Sequence, residues 1–149
     1  MSTVNSGVFP VYEHEFAIGD TGSGAGNPSE IAGLETVSIS IDNGIEEWRP
    51  FENEGWIERL QTAKGFTLTF TGKRVVGDAG NDMIARLAFS NGAATKKKLN
   101  WAMPDGQTVV CDVVISVTNI GGGDSTNVAP LEFQAMSSGK PTLTPEITT

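Results

Sequence analysis

The sequence predicts a mainly β protein, an antiparallel β-sandwich or barrel with one flanking α-helix, a long loop and extended N- and C-terminal arms. Three observations carry this prediction. Several segments alternate apolar and polar side chains with a period of two, which is typical of strands that bury one face. Turn signals rich in Gly, Asp, Asn and Pro separate these segments. Helical periodicity is convincing in one place only, which disfavours a doubly wound sheet.

The strand patterns suggest about six to eight strands. The clearest are the segments 37–41, 66–71, 99–103, 109–118 and 131–135. In the longest of them, Val109, Cys111 and Val113 share one face. Because Cys111 is the only cysteine and lies on this apolar face, we expect a buried thiol and no internal disulfide.

One helix is predicted over residues 79–91. Asp78 can cap its N-terminus, since a carboxylate there accepts hydrogen bonds from free backbone N–H groups. Ile84 and Leu87 share an apolar face. Gly92 lies just beyond the end, where a left-handed cap favours glycine.

The chain of 149 residues is long enough for one domain that buries about 70% of the surface its unfolded chain exposes. Four segments depart from the regular pattern, because they are polar, glycine-rich or interrupted by proline. They predict an N-terminal arm over 1–15, a Gly-rich loop over 19–29, a long loop over 42–63 that begins with the turn signal Asp42-Asn43-Gly44, and a C-terminal arm over 137–149.

Charge and hydropathy exclude several classes of protein. The chain contains 10 Lys and Arg and 18 Asp and Glu, which gives a net charge of −8. Such a polyanion is poorly suited to grip nucleic acid phosphates. No apolar stretch approaches the roughly 18 residues of a membrane span, and no secretory signal is recognisable at the N-terminus. We therefore expect no membrane binding by this chain.

No group of residues indicates catalysis, a cofactor or a metal. The Gly-rich loop lacks the preceding strand and following helix of a phosphate-binding loop. His14 is the only histidine, and its neighbours Glu13 and Glu15 point to the opposite face of an extended segment, so the three do not converge on one ion. We expect His14 to be a solvated arm residue and the protein not to be an enzyme.

Acidic and aromatic side chains concentrate between residues 46 and 58. Carboxylates beside aromatic rings can form a glycosidase site or a sugar-stacking surface, but the spacing is not specific. A loop anchored by its aromatics, with its acids in water, is the simpler interpretation. The acids are Glu46, Glu47, Glu52, Glu54 and Glu58, and the aromatics are Trp48, Phe51 and Trp56.

The only basic concentration has no interleaved aromatic platform of the kind that binds single-stranded nucleic acid. An acidic surface of another subunit would match it equally well and would account for charges of both signs. Its residues are Lys73, Arg74, Arg86, Lys96, Lys97 and Lys98. With two arms that cannot fold alone and open sheet edges, these features favour an assembly protein.

The run GFTLTFTGKRVVGDAGNDMIARLAFSNG (65–92) resembles the major tail tube proteins of long-tailed bacteriophages. The stretches NWAMPDG (100–106), VISVTNIGGGD (114–124) and GKPT (139–142) fit the same pattern, so the resemblance covers about residues 30–145. It implies a β-sandwich with a flanking helix whose copies form hexameric rings. The rings stack into a hollow tube that conducts the genome.

The resemblance implies mechanical roles and no catalytic or cofactor-binding residue. The long loop would reach an adjacent ring, the arms would lie on neighbouring rings, and the strands around 66–71 and 107–119 would line much of the lumen. The expected assembly residues are Phe9, Tyr12, Trp48, Arg49, Phe51, Trp56, Lys73, Arg74, Asp78, Lys96, Lys97 and Lys98. Acids expected on the lumen or outer surface, where carboxylates would repel DNA, are Glu46, Glu47, Glu52, Glu54, Glu58 and Asp112.

The same resemblance implies the partners and the location. The partners are further copies of the chain, tail terminator, distal tail or baseplate proteins and the tape measure protein, with DNA as a cargo that does not stick. The place is the virion tail, after assembly in the host bacterial cytoplasm. Two alternatives stay open, a carbohydrate-binding β-sandwich module using Trp48 and Trp56, and a related secretion-system tube protein.

Overall fold

In the computed structural model, the described residues are 7–20 and 28–144, and their strands form one antiparallel sheet. Across the sheet the order is β2-β1-β5-β6-β7-β4-β3, and β8 lies beside the first residues of β6. The predicted mainly β fold is confirmed. The strands are β1 (Glu15–Asp20), β2 (Ser29–Glu30), β3 (Leu34–Trp48), β4 (Glu58–Lys73), β5 (Lys96–Ala102), β6 (Thr108–Asn119), β7 (Pro130–Ser137) and β8 (Thr142–Thr144).

The sheet curls until strands that are far apart in its order pack against each other. The ring of Phe16 in β1 lies edge-on to the ring of Phe70 in β4, with 4.8 Å between centroids, although three strands separate them. Trp101 in β5 similarly lies 6.2 Å from Phe66 in β4. The two layers enclose the core as in a sandwich, and the sheet does not close on itself.

The core consists of the apolar side chains that alternate along these strands. In β6, Val109, Cys111, Val113 and Ile115 are buried and the residues between them are half-buried. Cys111 is 2% exposed and its burial raises the pKa of the thiol, so the predicted buried thiol is confirmed.

The helix α1 spans Ala79–Arg86 and is shorter than the predicted 79–91. Its start is as predicted, since the Asp78 carboxylate accepts the Asn81 N–H at 2.9 Å. The chain then tightens into a 3-10 turn over Leu87–Phe89, which buries Leu87 in the core and leaves Phe89 outside. Among the described residues no helix has the length and apolar character to span a membrane.

The predicted long loop over 42–63 is wrong, because most of this stretch is a β-hairpin. β3 and β4 pair from Leu34–Gly72 to Trp48–Glu58, and the connection is confined to residues 49–57. Gly44 does not sit in a turn. It lies at a bulge opposite Ala63, where an added Cβ would lie only 2.6 Å from the Ala63 Cβ. A turn-like composition therefore marks close contact between two strands.

The arms are more structured than predicted where they can be described. At the N-terminal side a 3-10 turn spans Val11–Glu13 and leads into β1. At the C-terminal side β7 continues to Ser137, and β8 pairs with β6. Residues 1–6 and 145–149 of the arms, and residues 21–27 of the predicted Gly-rich loop over 19–29, lie outside the described residues.

Candidate assembly interface

The β3–β4 hairpin projects beyond the rest of the sheet. β7 pairs with β4 only from Thr67 to Lys73, so the other half of β4 pairs with β3 alone. We call residues 42–65 the ribbon and residues 49–57 its tip. At about 3.3 Å per residue the ribbon extends roughly 20 Å past the sheet.

The ribbon exposes large apolar side chains that have no second layer to pack on. At the tip Phe51 is fully exposed and Trp56 is 78% exposed. Trp48 and Leu60, on the strands leading to the tip, are also exposed. Large exposed apolar groups close together mark interaction surfaces, and Trp is among the residues that contribute most to interface energies. The aromatic residues predicted as assembly anchors therefore lie together and are accessible.

Polar pairs fix the two strands of the ribbon, and its acids face solvent. Arg59 Nε donates to the Glu47 carboxylate at 2.7 Å, and Gln61 Nε2 donates to Asn43 Oδ1 at 2.9 Å. The hydrogen bond from Arg59 lowers the pKa of Glu47. The remaining charged residues predicted here are all exposed, namely Glu46, Arg49, Glu52, Glu54 and Glu58. The tip thus combines exposed aromatic rings with negative charge.

One long edge of the sheet is open to a partner. β3 forms one edge and pairs only with β4, whereas the opposite edge is the two-residue β2. An edge strand presents backbone N–H and C=O groups to which a further strand can bind. Residues 31–33, between β2 and β3, connect these two edges across the opening of the curled sheet.

Three of the predicted assembly residues have partners within the chain. Arg74 Nη1 donates to Asp82 Oδ1 at 2.8 Å, and the Asp78 carboxylate accepts the Ala32 N–H at 3.2 Å. Lys73 Nζ lies 3.0 Å from Glu35 Oε1. These contacts join the end of β4 to α1 and to the start of β3, and the N-cap of α1 to the segment between β2 and β3. Their predicted role between subunits stays a prediction.

The centre of this network is a residue that sequence reasoning missed. Asn81 is fully buried, and its Nδ2 donates to the carbonyl oxygens of Ala32 and Lys73, each at 3.0 Å. Its Oδ1 accepts from the Val75 N–H at 3.1 Å and from Arg74 at 2.9 Å. Every polar atom of the side chain is therefore satisfied. The part of the sequence that could have indicated this network is VVGDAGND (75–82), which lies within the run that carries the family resemblance.

The other predicted charged residues lie on the sheet, away from the ribbon. Lys98 Nζ of β5 is 3.9 Å from Asp112 Oδ1 of the neighbouring β6, so Asp112 faces a cation of its own chain. Lys96 is exposed and begins β5, and Lys97 follows it in the same strand. Lys96 and Lys98 share the outer face of β5.

His14 is not the solvated arm residue that the sequence predicts. It is half-buried, and its Nδ1 accepts the Trp101 Nε1–H at 3.0 Å. Burial lowers the pKa of His14, an effect that the negative charge of Asp105 partly opposes. The ring of Phe9 lies 5.8 Å from the His14 ring, whereas Tyr12 stays exposed. Among the described residues, no group of three or more His, Cys, Asp and Glu could hold a metal ion.

Similarity to known proteins is found through structure. No protein-family model and no curated protein matches the sequence. A chain from the tail of an empty gene transfer agent particle, refined helically with C6 symmetry, is 25% identical, with a TM-score of 0.65 over 85% of this chain and 93% of that one.

Two further solved structures share the fold. A chain from the virion of a native gene transfer agent particle is 24% identical, with a TM-score of 0.64 over 86% of this chain and 94% of its own length. A chain from the tube-terminating cap of the anti-feeding prophage is 14% identical, with a TM-score of 0.60 and coverages of 96% and 95%. The predicted resemblance to tail tube proteins is confirmed.

Proposed function

We propose that this chain is the structural subunit of a virion tail tube, in which copies form hexameric rings that stack into a hollow conduit for DNA. The observation that carries the proposal is the match to the tail chain of the gene transfer agent particle. That match spans nearly all of both chains and comes from an assembly with C6 symmetry. A head-to-tail contact that closes after six copies makes a ring, and a second contact along the axis makes a tube.

The two kinds of contact draw on different parts of the fold. The open edge of β3 and the curled sheet supply the contact around the ring, since an edge strand binds a neighbour through its backbone. The ribbon extends past the sheet and carries the aromatic tip to the adjacent ring. This division fits a ring that forms independently of tube growth.

The conduit conducts DNA without binding it. The net charge of −8 per chain opposes the approach of phosphates. The centre of the outer sheet face, opposite the core, is lined by uncharged polar side chains, namely Ser38, Ser40, Thr67, Thr69, Ser116 and Gln134. A lumen wall built from this face has no cation at its centre to retain phosphate. The acids of the ribbon contribute repulsion at the junctions between rings.

The same proposal covers the partners and the location. The chain assembles in the host bacterial cytoplasm and remains in the virion tail, where it meets terminator, baseplate and tape measure proteins. Its work is mechanical and requires no catalysis. The support is that the matched chains belong to a tail, a virion and a tube cap.

Electron microscopy of the purified protein tests the proposal. We expect rings or tubes with six-fold symmetry. Trp56→Ala should stop tube growth and leave the circular dichroism melt unchanged, because Trp56 is exposed and supports no core. The control Val128→Ala removes another exposed apolar side chain, in the β6–β7 loop, and should leave tubes intact. A strict monomer that is retained on sugar columns would contradict the tail tube and favour the carbohydrate-binding module.

A further inference from the structure

A second exposed apolar surface lies beside the end of the helix. Phe89 is 92% exposed, although Leu87 in the same 3-10 turn is buried. Together with Ala88, Val117 and Ile120 it outlines a shallow depression, to which Thr118 and Asn119 also contribute. We call these six residues the Phe89 patch. Within the part of the chain that the structure describes, no side chain covers the Phe89 ring.

The Phe89 patch and the ribbon tip lie at opposite ends of the molecule. Asn119 pairs with Glu132 of β7, and Glu132 pairs with Thr71 near the end of β4. From Thr71, β4 runs to Glu58 at the base of the tip, a distance of roughly 40 Å at about 3.3 Å per residue. The tip therefore cannot reach the patch of its own chain, but it is placed to reach the patch of a copy stacked along the strand direction.

Shape and charge make the tip and the patch complementary. The tip is a projection that exposes the rings of Phe51 and Trp56, whereas the patch is a depression to which four apolar and two polar side chains contribute. Glu52 beside those rings is negative and exposed. Arg86, three residues before Phe89, is positive and exposed. Opposite charges at the rim of an apolar contact favour one orientation over others.

We propose that the ribbon tip of one copy docks into the Phe89 patch of a second copy in the adjacent ring. Each copy then offers a tip at one end and a patch at the other. Such a contact joins two different surfaces and does not close, so it propagates along an axis without limit. The inference rests on the proposed tail tube function and assigns the receiving surface for the ribbon.

Disulfide trapping tests the contact in assembled tubes. The double variant Glu52→Cys with Thr118→Cys places one thiol beside the tip aromatics and one in the patch, and it keeps Phe51, Trp56 and Phe89. The native Cys111 is buried and does not compete. On mild oxidation we expect a ladder of disulfide-linked multimers on a non-reducing gel, because every copy carries both thiols. Each single variant should give dimers at most.

A control double variant and the unsubstituted protein distinguish the possible outcomes. Glu52→Cys with Ser38→Cys, in which the second thiol lies on the exposed sheet face, should give no ladder. Tubes that form but cross-link no better through Thr118 than through Ser38 would overturn the tip–patch contact alone. Failure of the unsubstituted protein to form rings or tubes would overturn the proposed function and this contact with it.

A charge placed in the patch gives an independent measurement. Phe89→Asp should abolish tubes and leave single rings and the thermal melt unchanged, since the Phe89 side chain is outside the core. Val76→Asp introduces the same charge at an exposed position near the same end, outside the patch, and should leave tube growth intact. Normal tubes from Phe89→Asp would contradict the proposal.

Discussion

The two halves of β4 have the same partner in β3 and yet differ in their other contacts. In the half from Phe66 to Lys73, a core lies beneath the strand and β7 lies beside it. In the half from Glu58 to Gly65, the ribbon has neither. Phe70 is fully buried in the first half, and Leu60 is 58% exposed in the second.

This difference separates stability from assembly. Pairing of two strands alone is only marginally stable in water, so the free energy of folding must come from the curled sheet and its core. The ribbon can then expose aromatic side chains to a partner without weakening the monomer. Substitutions that respect this division should change either unfolding or tube growth, but not both.

The largest expected effect is that of Phe70→Ala. The ring packs against Phe16 and Phe133 with centroid distances of 4.8 Å, and its removal leaves a cavity that costs about 3–5 kcal/mol in the free energy of unfolding. Leu60→Ala, which truncates an exposed apolar side chain in the ribbon half of the same strand, should change that free energy by no more than about 0.5 kcal/mol. Urea unfolding of both variants makes the comparison. A loss for Leu60→Ala equal to that for Phe70→Ala would show that the ribbon is part of the stable core.

The next largest effect is expected for Asn81→Ala. This change leaves the buried carbonyl of Lys73 and the N–H of Val75 without their partner, and unsatisfied buried groups cost about 1–3 kcal/mol each. We expect a loss of about 3 kcal/mol in urea unfolding, with tubes still formed at low temperature. Asn43→Ala removes an exposed ribbon amide that accepts from Gln61, and it should be nearly neutral. Equal losses for the two amides would contradict the central role of Asn81.

The same division explains what the sequence could predict. The strands 66–71 and 109–118 were predicted because their period of two is a local signal that burial on one face requires. The helix start was predicted because Asp78 caps within its own turn. The helix end was not, because the packing of Leu87 on distant strands tightens the last turn.

The ribbon and the Asn81 network were missed for two different reasons. Asp42-Asn43-Gly44 has the composition of a turn, and only the pairing with Ala63 reveals that glycine serves a bulge. For Asn81, the partners come from Ala32 and the end of β4, which sequence alone does not bring together. The aromatic tip was predicted from composition. Charges such as Arg74 do not reveal in sequence whether their partner lies inside the chain.

A smaller effect concerns the dependence of folding stability on pH. It arises from His14, whose Nδ1 accepts the Trp101 N–H beside the core. Burial lowers the pKa of His14 in the folded protein. As the pH falls below about 6.5, the unfolded chain therefore takes up the proton first, and stability decreases until the pKa of the folded state is reached. Above about pH 7 this loss is absent.

Urea unfolding between pH 8 and pH 5 measures this dependence. His14→Gln supplies an amide oxygen that can still accept the Trp101 N–H but does not titrate in this range. As the pH falls, the parent protein should lose stability relative to His14→Gln. Tyr12→Phe, at an exposed neighbouring position, should follow the parent protein. A constant difference across the range would exclude His14 as the titrating group.

The smallest effect is expected for Arg59→Ala, which breaks the best-defined ion pair of the ribbon. Both side chains are exposed, and solvent and salt screen an exposed pair. The urea midpoint should not move. Because Arg59 holds the pKa of Glu47 below its usual range, the Glu47 carboxyl resonance should titrate at higher pH in the variant when followed by NMR. A ribbon that keeps its strand pairing after this loss would show that the hairpin register is set by the bulge at Gly44 and by the sheet below it. Collapse of the ribbon amide signals would instead show that the ion pair itself holds the two strands together.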